Sequence, residues 1–307
     1  MPAVLRSAVA QAYPSRPVKL VIGYPPGGSA DITGRLTAQW LSEKLGQPFV
    51  IENRAGGGTN IATEAAIAAA PDGYTLLLVA PANAINATLY EKLNHNFIRD
   101  ITPVAGLIRF PNVVVVNPQL PVKTIPELIA YAKANPGKLN MASSGNGSTI
   151  HMSGELFQMM TGTKMTHVPY RGGALALTDL VGGQVQVMFD NIPTAAEFVR
   201  SGQLRGLAVT GAERSEVLPD LPTVAEFLPG YEATSWYGVG APKGTPPDII
   251  ARLNGEVKTI LADPKVKARF AELGAILLPG SPADFGKLVA DETEKWGKVV
   301  KFAGVKA

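Results

Sequence analysis

Two strand–loop–helix segments constrain this chain more than any other feature. In the first, the apolar strand pattern Val18–Tyr24 runs into the loop Pro25-Pro-Gly-Gly-Ser-Ala-Asp31 and then into a predicted helix. In the second, residues 138–142 run into Ser143-Ser-Gly-Asn-Gly-Ser-Thr149 and another predicted helix. A helix N-terminus has unpaired backbone N–H groups and a partial positive charge, so it attracts anions. The sequence therefore predicts two jaws that close on one anionic ligand.

Strand and helix patterns alternate along most of the chain, which predicts an α/β fold with helices packed on a parallel sheet. The alternation forms one unit over residues 13–103 and a second over residues 104–230, and the chain returns to the first over residues 231–307. We predict crossings at Thr102–Phe110 and Ala233–Ala241, and two amphipathic helices at the end of the chain. This order predicts a two-lobed body.

Composition excludes several classes of function. The 307 residues include no cysteine, so disulfides, thiolate metal sites and cysteine catalysis are excluded. The three histidines, His95, His151 and His167, lack metal-ligand spacing, and we expect no metal and no cofactor. The net charge is only +3 and no basic run occurs, so nucleic-acid binding has no support. No Gly-x-Ser-x-Gly nucleophile motif accompanies His151, for which capping or packing is the better interpretation.

The first residues have the composition of an export signal. Residues 1–12 read M-P-A-V-L-R-S-A-V-A-Q-A, and the alanines at their end fit an A-x-A cleavage site. We interpret this segment as the residual tail of a signal peptide. The alternative is an ordinary alanine-rich N-terminus.

The two loops lack the signatures of nucleotide binding. Neither contains the Gly-Lys-Ser/Thr of a phosphate-binding loop, and Ile150 stands where a dinucleotide pattern needs glycine. A small carboxylate needs only a few N–H groups and hydroxyls. The candidates in the loops are Gly27, Gly28, Ser29, Ser144, Gly147, Ser148 and Thr149. The alternative is that both loops are ordinary turns, with glycine for tight turning and serine as a helix cap.

Further candidate ligand residues stand where other predicted strands end, the edge at which open α/β sheets bind ligands. They are Pro81, Asn83, Tyr170, Arg171 and Asp190. Arg171 would clamp a carboxylate or would be an exposed loop residue. Asp190 would contact a polar ligand group or brace the hinge. Asp31, in the first loop, would stabilise its helix N-terminus or contact a ligand hydroxyl or amine.

In combination, the motifs resemble the Bug family of periplasmic solute receptors of tripartite tricarboxylate transporters. The similar segments are Tyr13–Pro17, Pro25–Asp31, Glu52–Gly58, Pro71–Thr75, Ser143–Ser148, His151, His167–Gly172 and Met188–Asp190. The similarity runs from about Tyr13 to the C-terminus. Tyr24 replaces the Phe often found there, which adds a hydroxyl as a candidate ligand contact, and Pro81-Ala-Asn83 replaces a Ser/Thr-rich loop.

The resemblance implies a type II, Venus-flytrap periplasmic binding protein that closes on a small carboxylated solute. Both Gly/Ser loops would hold ligand carboxylates, partly through water, and Asp190 would face the cleft near the hinge. The partners would be this solute and the membrane permease subunits, with no nucleic acid, and the receptor would be monomeric and non-enzymatic. A sensory module that signals to a partner protein and an enzyme acting on a carboxylate are the alternatives. The identity of the acid is left open.

Overall fold

The computed structural model of the chain describes residues 13–306, and the predicted signal tail over residues 1–12 lies outside them. The strands are β1 Val18–Ile22, β2 Phe49–Asn53, β3 Thr75–Val79, β4 Ile101–Val116, β5 Asn140–Ser143, β6 Thr166–Pro169, β7 Val187–Asn191, β8 Arg205–Val209, β9 Thr234–Pro242 and β10 Ile276–Leu277. The helices are α1 Ser29–Leu45, α2 Asn60–Ile67, α3 Pro81–Leu89, α4 Phe97–Asp100, α5 Ile125–Ala134, α6 Thr149–Thr161, α7 Gly173–Val181, α8 Ile192–Arg200, α9 Pro247–Ala262, α10 Pro264–Glu272 and α11 Pro282–Ala303.

The strands form two sheets, which define lobe 1 and lobe 2. In lobe 1 the order is β2-β1-β3-β9-β4, with β1 parallel to β2 and β3, and β9 antiparallel between β3 and β4. In lobe 2, β7 lies between β5 and β4, β6 is parallel to β5, and β8 pairs with β4. Parallel strands joined through helices align their carboxyl ends, so each lobe presents its strand-to-helix loops at one edge.

One long strand, β4, belongs to both sheets. Its first part pairs with β9 as far as Pro111 opposite Thr234, and its second part pairs with β7 from Asn112 opposite Asn191. A proline has no N–H to donate to a sheet, which suits it to the point where a strand changes partner. The sequence predicted a crossing at Thr102–Phe110 and a separate strand after it, whereas the structure has one continuous strand.

The C-terminal helix α11 connects elements of both lobes, because it packs against α3, β4 and α6. Trp296 and Val300 of α11 pack with Ile85 of α3 in the core of lobe 2. The buried Glu292 carboxylate accepts hydrogen bonds from the indole N–H groups of Trp236 in β9, at 3.2 Å, and of Trp296, at 2.7 Å.

The end of the chain contains three helices, α9, α10 and α11, where the sequence predicted two. Asp263 ends α9 and caps α10 by accepting a hydrogen bond from the backbone N–H of Lys265, at 2.8 Å. Pro264 occupies the first turn of α10 and cannot continue the preceding helix. Asp263 and Pro264 therefore separate α10 from α9. No helix between residues 13 and 306 combines the length and apolar character that a membrane crossing requires.

Candidate ligand-binding site

A cavity of about 30 Å³ lies between the lobes, where the strand-to-helix loops of both meet. Residues from the first turns of α1, α3, α6, α7 and α8 line it. Five helix N-termini therefore converge on one small space, each with the positive end of its dipole. No Lys or Arg side chain from the described residues lines this cavity, and residues 13–306 contain no cluster of acidic and histidine side chains suited to a metal. Attraction for an anion at this cavity would therefore come from the backbone and hydroxyl groups.

The structure brings part of the predicted set together at the cavity. The lining residues among the predicted ones are Tyr24, Gly28, Ser29, Pro81, Ser144, Ser148, Thr149 and Asp190. Gly27, Asp31, Asn83, Gly147, Tyr170 and Arg171 lie near it without lining it. The residues of the second group either hydrogen-bond to the loops or lie beside the cavity, as described below.

Asp31 braces the loop of lobe 1. Its carboxylate accepts hydrogen bonds from Arg35 Nε at 2.9 Å, the Gly27 backbone N–H at 3.1 Å and Asn53 Nδ2 at 3.1 Å. Burial raises the pKa of Asp31, but the hydrogen bonds from Arg35, Gly27 and Asn53 outweigh burial and hold the pKa below its ordinary value. The ionised carboxylate is thus hydrogen-bonded by groups of the protein itself.

Pro81 and Asn83 belong to a helix, α3, where the sequence suggested a loop. The Asn83 side-chain oxygen accepts a hydrogen bond from the Ala80 N–H at 2.8 Å, and its amide donates to Thr63 Oγ1 at 2.8 Å. Pro81 at the first helical position has no N–H to leave unpaired. Pro81 lines the cavity, whereas the side-chain oxygen of Asn83 caps the start of α3 and its NH2 group is hydrogen-bonded to Thr63.

The loop of lobe 2 is held by a serine and two stacked histidines. Ser148 caps α6 by accepting from the His151 N–H at 3.2 Å, and its hydroxyl donates to the Gly145 carbonyl at 2.8 Å. The His151 ring stacks on the His167 ring at 3.7 Å between centroids, and its Nδ1 accepts from the Gly147 N–H at 3.3 Å. His151 therefore packs and supports the loop, as the sequence suggested.

The segment around Arg171 forms the lobe 2 rim of the cleft. The Tyr170 hydroxyl donates to Asp179 Oδ2 at 2.7 Å, and the pKa of Tyr170 rises to about 12 because of burial and this carboxylate. Arg171 is exposed. A Cβ on Gly172 would come within 2.5 Å of Pro25 Cγ, so the rims of the two lobes are in contact here.

A polar clasp, formed by Ser29, Asn191 and Tyr237, connects the lobes at the cavity. Ser29 Oγ donates to Asn191 Oδ1 at 2.6 Å and lies 2.8 Å from the Tyr237 hydroxyl. Asn191 Nδ2 donates to Asn112 Oδ1 at 2.6 Å, and Thr149 is hydrogen-bonded to Ser235 of β9. Sequence reasoning missed Asn191 and Tyr237.

A signal for one of the missed residues was present. Asn191 directly follows Asp190 at the end of a predicted strand and precedes a predicted helix, as the two Gly/Ser loops do. Thr194, which also lines the cavity, stands in the first turn of that helix. Tyr237 lies inside β9, and no local pattern distinguishes it from a core residue.

Comparison with known proteins identifies the family. Residues 33–305 match the tripartite tricarboxylate transporter family receptor. The chain is 39% identical to protein BugT of Bordetella pertussis over 97% of this chain and 92% of that protein. It superposes on R. palustris Rpa4515 with adipate with a TM-score of 0.93, at 42% identity over 96% and 99% of the two chains. It superposes on MatC from Rhodopseudomonas palustris with bound malate with a TM-score of 0.89, at 35% identity over 94% and 100% of the two chains.

These similarities confirm the fold and the resemblance predicted from the sequence. The architecture is the two-lobed α/β fold of periplasmic binding proteins. The family consists of solute receptors, which are periplasmic, and is not an enzyme family. The chain therefore belongs to the Bug family, the receptors of tripartite tricarboxylate transporters.

Proposed function

We propose that this chain captures a small carboxylated organic acid between its lobes and presents it to the permease subunits of a tripartite transporter. The observation that carries the proposal is the convergence of the N-termini of α1, α3, α6, α7 and α8 on an interlobe cavity that no Lys or Arg side chain of residues 13–306 lines. Backbone N–H groups and hydroxyls form charge-assisted hydrogen bonds with a carboxylate. The acids bound by two similar receptors, adipate and malate, support the same class of ligand.

Capture requires the lobes to separate. The cavity of about 30 Å³ has room for only one or two water molecules, much less than a dicarboxylic acid. We place the hinge where β4 changes partner at Pro111 and Asn112, with the returning strand at Thr234. The predicted lobe limits of residues 13–103 with 231–307, and 104–230, stay a proposal. Opening breaks the Ser29–Asn191 hydrogen bond, and the ligand restores closure through contacts with both lobes.

A thermal-shift screen tests the class of ligand. The panel contains adipate, malate, benzoate and nicotinate, with adipamide as the uncharged counterpart of adipate. An acid at about 100 times its dissociation constant stabilises the fold by roughly 2.7 kcal/mol. We expect a shift with at least one acid and none with adipamide. Shifts with sugars or cations and none with any acid would disprove the proposal.

The cellular location and the interaction with the permease are tested separately. We propose a periplasmic location, as for the other receptors of the family. Membrane fractions that contain the permease should retain the receptor more strongly in the presence of the bound acid. Retention that is the same with and without the acid would contradict delivery of the closed form.

A further inference from the structure

Asp190 is the acidic side chain that faces the cavity. It is the last residue but one of β7, is 1% exposed, and its Oδ2 accepts a hydrogen bond from Thr194 Oγ1 at 2.7 Å. Its Oδ1 has no hydrogen-bond partner among the described residues and lies 3.7 Å from the position that a Cβ on Gly173 would take. Gly173 lines the cavity at the start of α7. One oxygen of a buried carboxyl group is therefore left for a ligand.

No cation in the described part of the chain faces this oxygen. The other titratable side chains that line the cavity are Tyr24 and Tyr237, and burial raises the pKa of both phenols, so they stay neutral. Strands β5 and β9, helix α3 and the lobe 2 part of β4 contain no charged residue. The titratable groups of the remaining neighbours are paired or exposed: Asp31 with Arg35 on α1, Glu155 with His151 on α6, Asp179 with Tyr170 on α7, Glu197 with Arg200 on α8, and the exposed Arg171.

An anionic ligand changes the charge balance of this site. Two negative charges in a buried space repel each other strongly, and the repulsion favours a proton on one of them. Burial raises the pKa of Asp190 to about 7, although the hydrogen bonds from Thr194 and the Asn191 N–H act in the opposite direction. A carboxylate ligand beside Oδ1 raises this pKa further.

We propose that Asp190 binds the ligand as a neutral acid and donates a hydrogen bond from Oδ1 to a ligand carboxylate oxygen. Capture of the anion is then coupled to uptake of one proton from solvent. This inference rests on the proposed function, because it requires the ligand to be a carboxylate. It assigns Asp190 a role in recognition: the protonated residue donates a hydrogen bond to a ligand carboxylate oxygen, and the ionised residue repels the same group.

The test measures the affinity for adipate, or for malate if adipate does not bind, between about pH 6 and about pH 8.5. Both acids are almost completely ionised above about pH 7, where the fall in affinity is expected, so titration of the ligand does not account for it. We expect the dissociation constant of the unmodified receptor to rise, approaching about tenfold per pH unit above pH 7. Calorimetry in buffers of different ionisation enthalpy should show proton uptake that approaches one per bound acid at the alkaline end.

Two variants separate Asp190 from other titrating groups. Asp190→Asn keeps the shape and an N–H donor, so its affinity should change less than twofold over the same pH range. Thr194→Val removes the hydroxyl that stabilises the ionised form, so the pH at which affinity falls should move upward. His151 and His167 are unchanged in both variants and contribute equally to each comparison.

The outcomes distinguish this inference from the proposed function. Binding of the acid with no pH dependence and no proton uptake overturns the inference and leaves the proposed function intact. A second result also overturns the inference: the folded Asp190→Asn variant no longer binds, and the unmodified receptor prefers acids that carry an amine. The ionised Asp190 carboxylate would then pair with a cationic group of the ligand. No binding of any acid in the panel at any pH is instead the failure of the proposed function.

Discussion

The two loops that meet at the cavity present the same kind of group, a helix N-terminus, but are held in place by opposite chemistry. The loop of lobe 1 is braced by a charged pair, Asp31 with Arg35. The loop of lobe 2 is braced by two histidines, with Ser143 Oγ 2.6 Å from His167 Nε2, His151 stacked on His167, and Glu155 Oε1 3.5 Å from His151 Nε2. No Lys or Arg side chain of residues 13–306 lines the cavity, so the attraction for an anion is left to backbone N–H groups and hydroxyls.

The difference also gives the two loops different responses to acid. Burial lowers the pKa of His167 to about 3, and repulsion from His151 adds to the effect. In the unfolded state His167 binds a proton below about pH 6.5, whereas in the folded state it does so only near pH 3. The free energy of unfolding therefore decreases as the pH falls from about 6.5 towards 3. Asp31 behaves differently: its pKa is lowered from 3.8, so its contribution persists above that pH and is lost only below it.

The largest effect is expected from a negative charge in either jaw. Gly28 and Ser148 are the N-cap residues of α1 and α6, and both line the cavity. Gly28→Asp and Ser148→Asp place a carboxylate where the ligand carboxylate is proposed to bind, and aspartate is itself a good N-cap. Affinity for adipate should fall by roughly 100-fold or more in each variant, because like charges cost several kcal/mol. Isothermal titration checks this.

Asparagine at the same positions is the matched control. Gly28→Asn and Ser148→Asn introduce nearly the same volume and also cap a helix, but add no charge. A Cβ at residue 28 meets no atom within 4 Å, so crowding does not confuse the comparison there. If only one aspartate variant loses affinity relative to its asparagine partner, only that jaw contacts the carboxylate. Equal affinity of all four variants would show that neither does.

The second prediction concerns the hydrogen bond between His167 and Ser143 in lobe 2. His167→Gln keeps a side-chain group that can hydrogen-bond to Ser143 but cannot be protonated. Between pH 6.5 and about pH 5 the unmodified protein should lose about 2 kcal/mol of unfolding free energy that the variant does not lose. Denaturant titrations across this range measure the difference. Parallel pH profiles for the two proteins would show that His167 does not make this contribution.

The alternation of strands and helices was sufficient to predict the lobes, because hydrophobic periodicity records which faces are buried. The structure differs where long-range pairing decides the outcome. Continuity of β4 depends on β9 and β7 pairing with it from distant parts of the chain. The helix α10 was missed although Asp263 and Pro264 mark its start locally, because only Val266 and Phe270 of its residues are buried and its apolar pattern is short.

The residues of the site also fall into those that local sequence predicts and those that depend on long-range contacts. Ser29, Ser148 and Asp190 were predictable because each stands at a strand-to-helix junction, where chain direction alone brings side chains to one edge of a sheet. Asp31 was at an equally good position, but its carboxylate is occupied by Arg35 and Asn53, and no sequence pattern gives such a pairing. Tyr237 reaches the cavity only because β9 lies next to the hinge.

The third prediction concerns contact between the rims. Gly172→Ala places a methyl group within 2.5 Å of Pro25 Cγ, which holds the lobes apart although the backbone of residue 172 is extended and unstrained. Affinity for adipate should fall by about tenfold, equivalent to about 1.4 kcal/mol. Gly182→Ala, at the other end of α7, has its nearest atom at an ordinary 3.4 Å and should bind normally. Equal affinity of both variants would indicate that the bound form is more open than this structure.

The smallest effect is expected from the charged brace of lobe 1. Arg35→Met keeps the apolar stem of the side chain and removes the charge that pairs with Asp31. The Arg35 side chain is 53% exposed, so solvent and salt screen the pair, and the loss of unfolding free energy should be about 1 kcal/mol or less at low salt.

A matched variant and the pH profile sharpen this prediction. Arg269→Met removes an equally exposed partner of Glu272 on α10, which does not line the cavity, and should change neither stability nor affinity measurably. In Arg35→Met the pKa of Asp31 should rise, so acid unfolding should begin at a higher pH than in the unmodified protein. Gly27 and Asn53 still donate to the carboxylate, which keeps the loop near its place. A loss of several kcal/mol would show instead that the loop of lobe 1 depends on its ion pair as strongly as the loop of lobe 2 depends on its histidines.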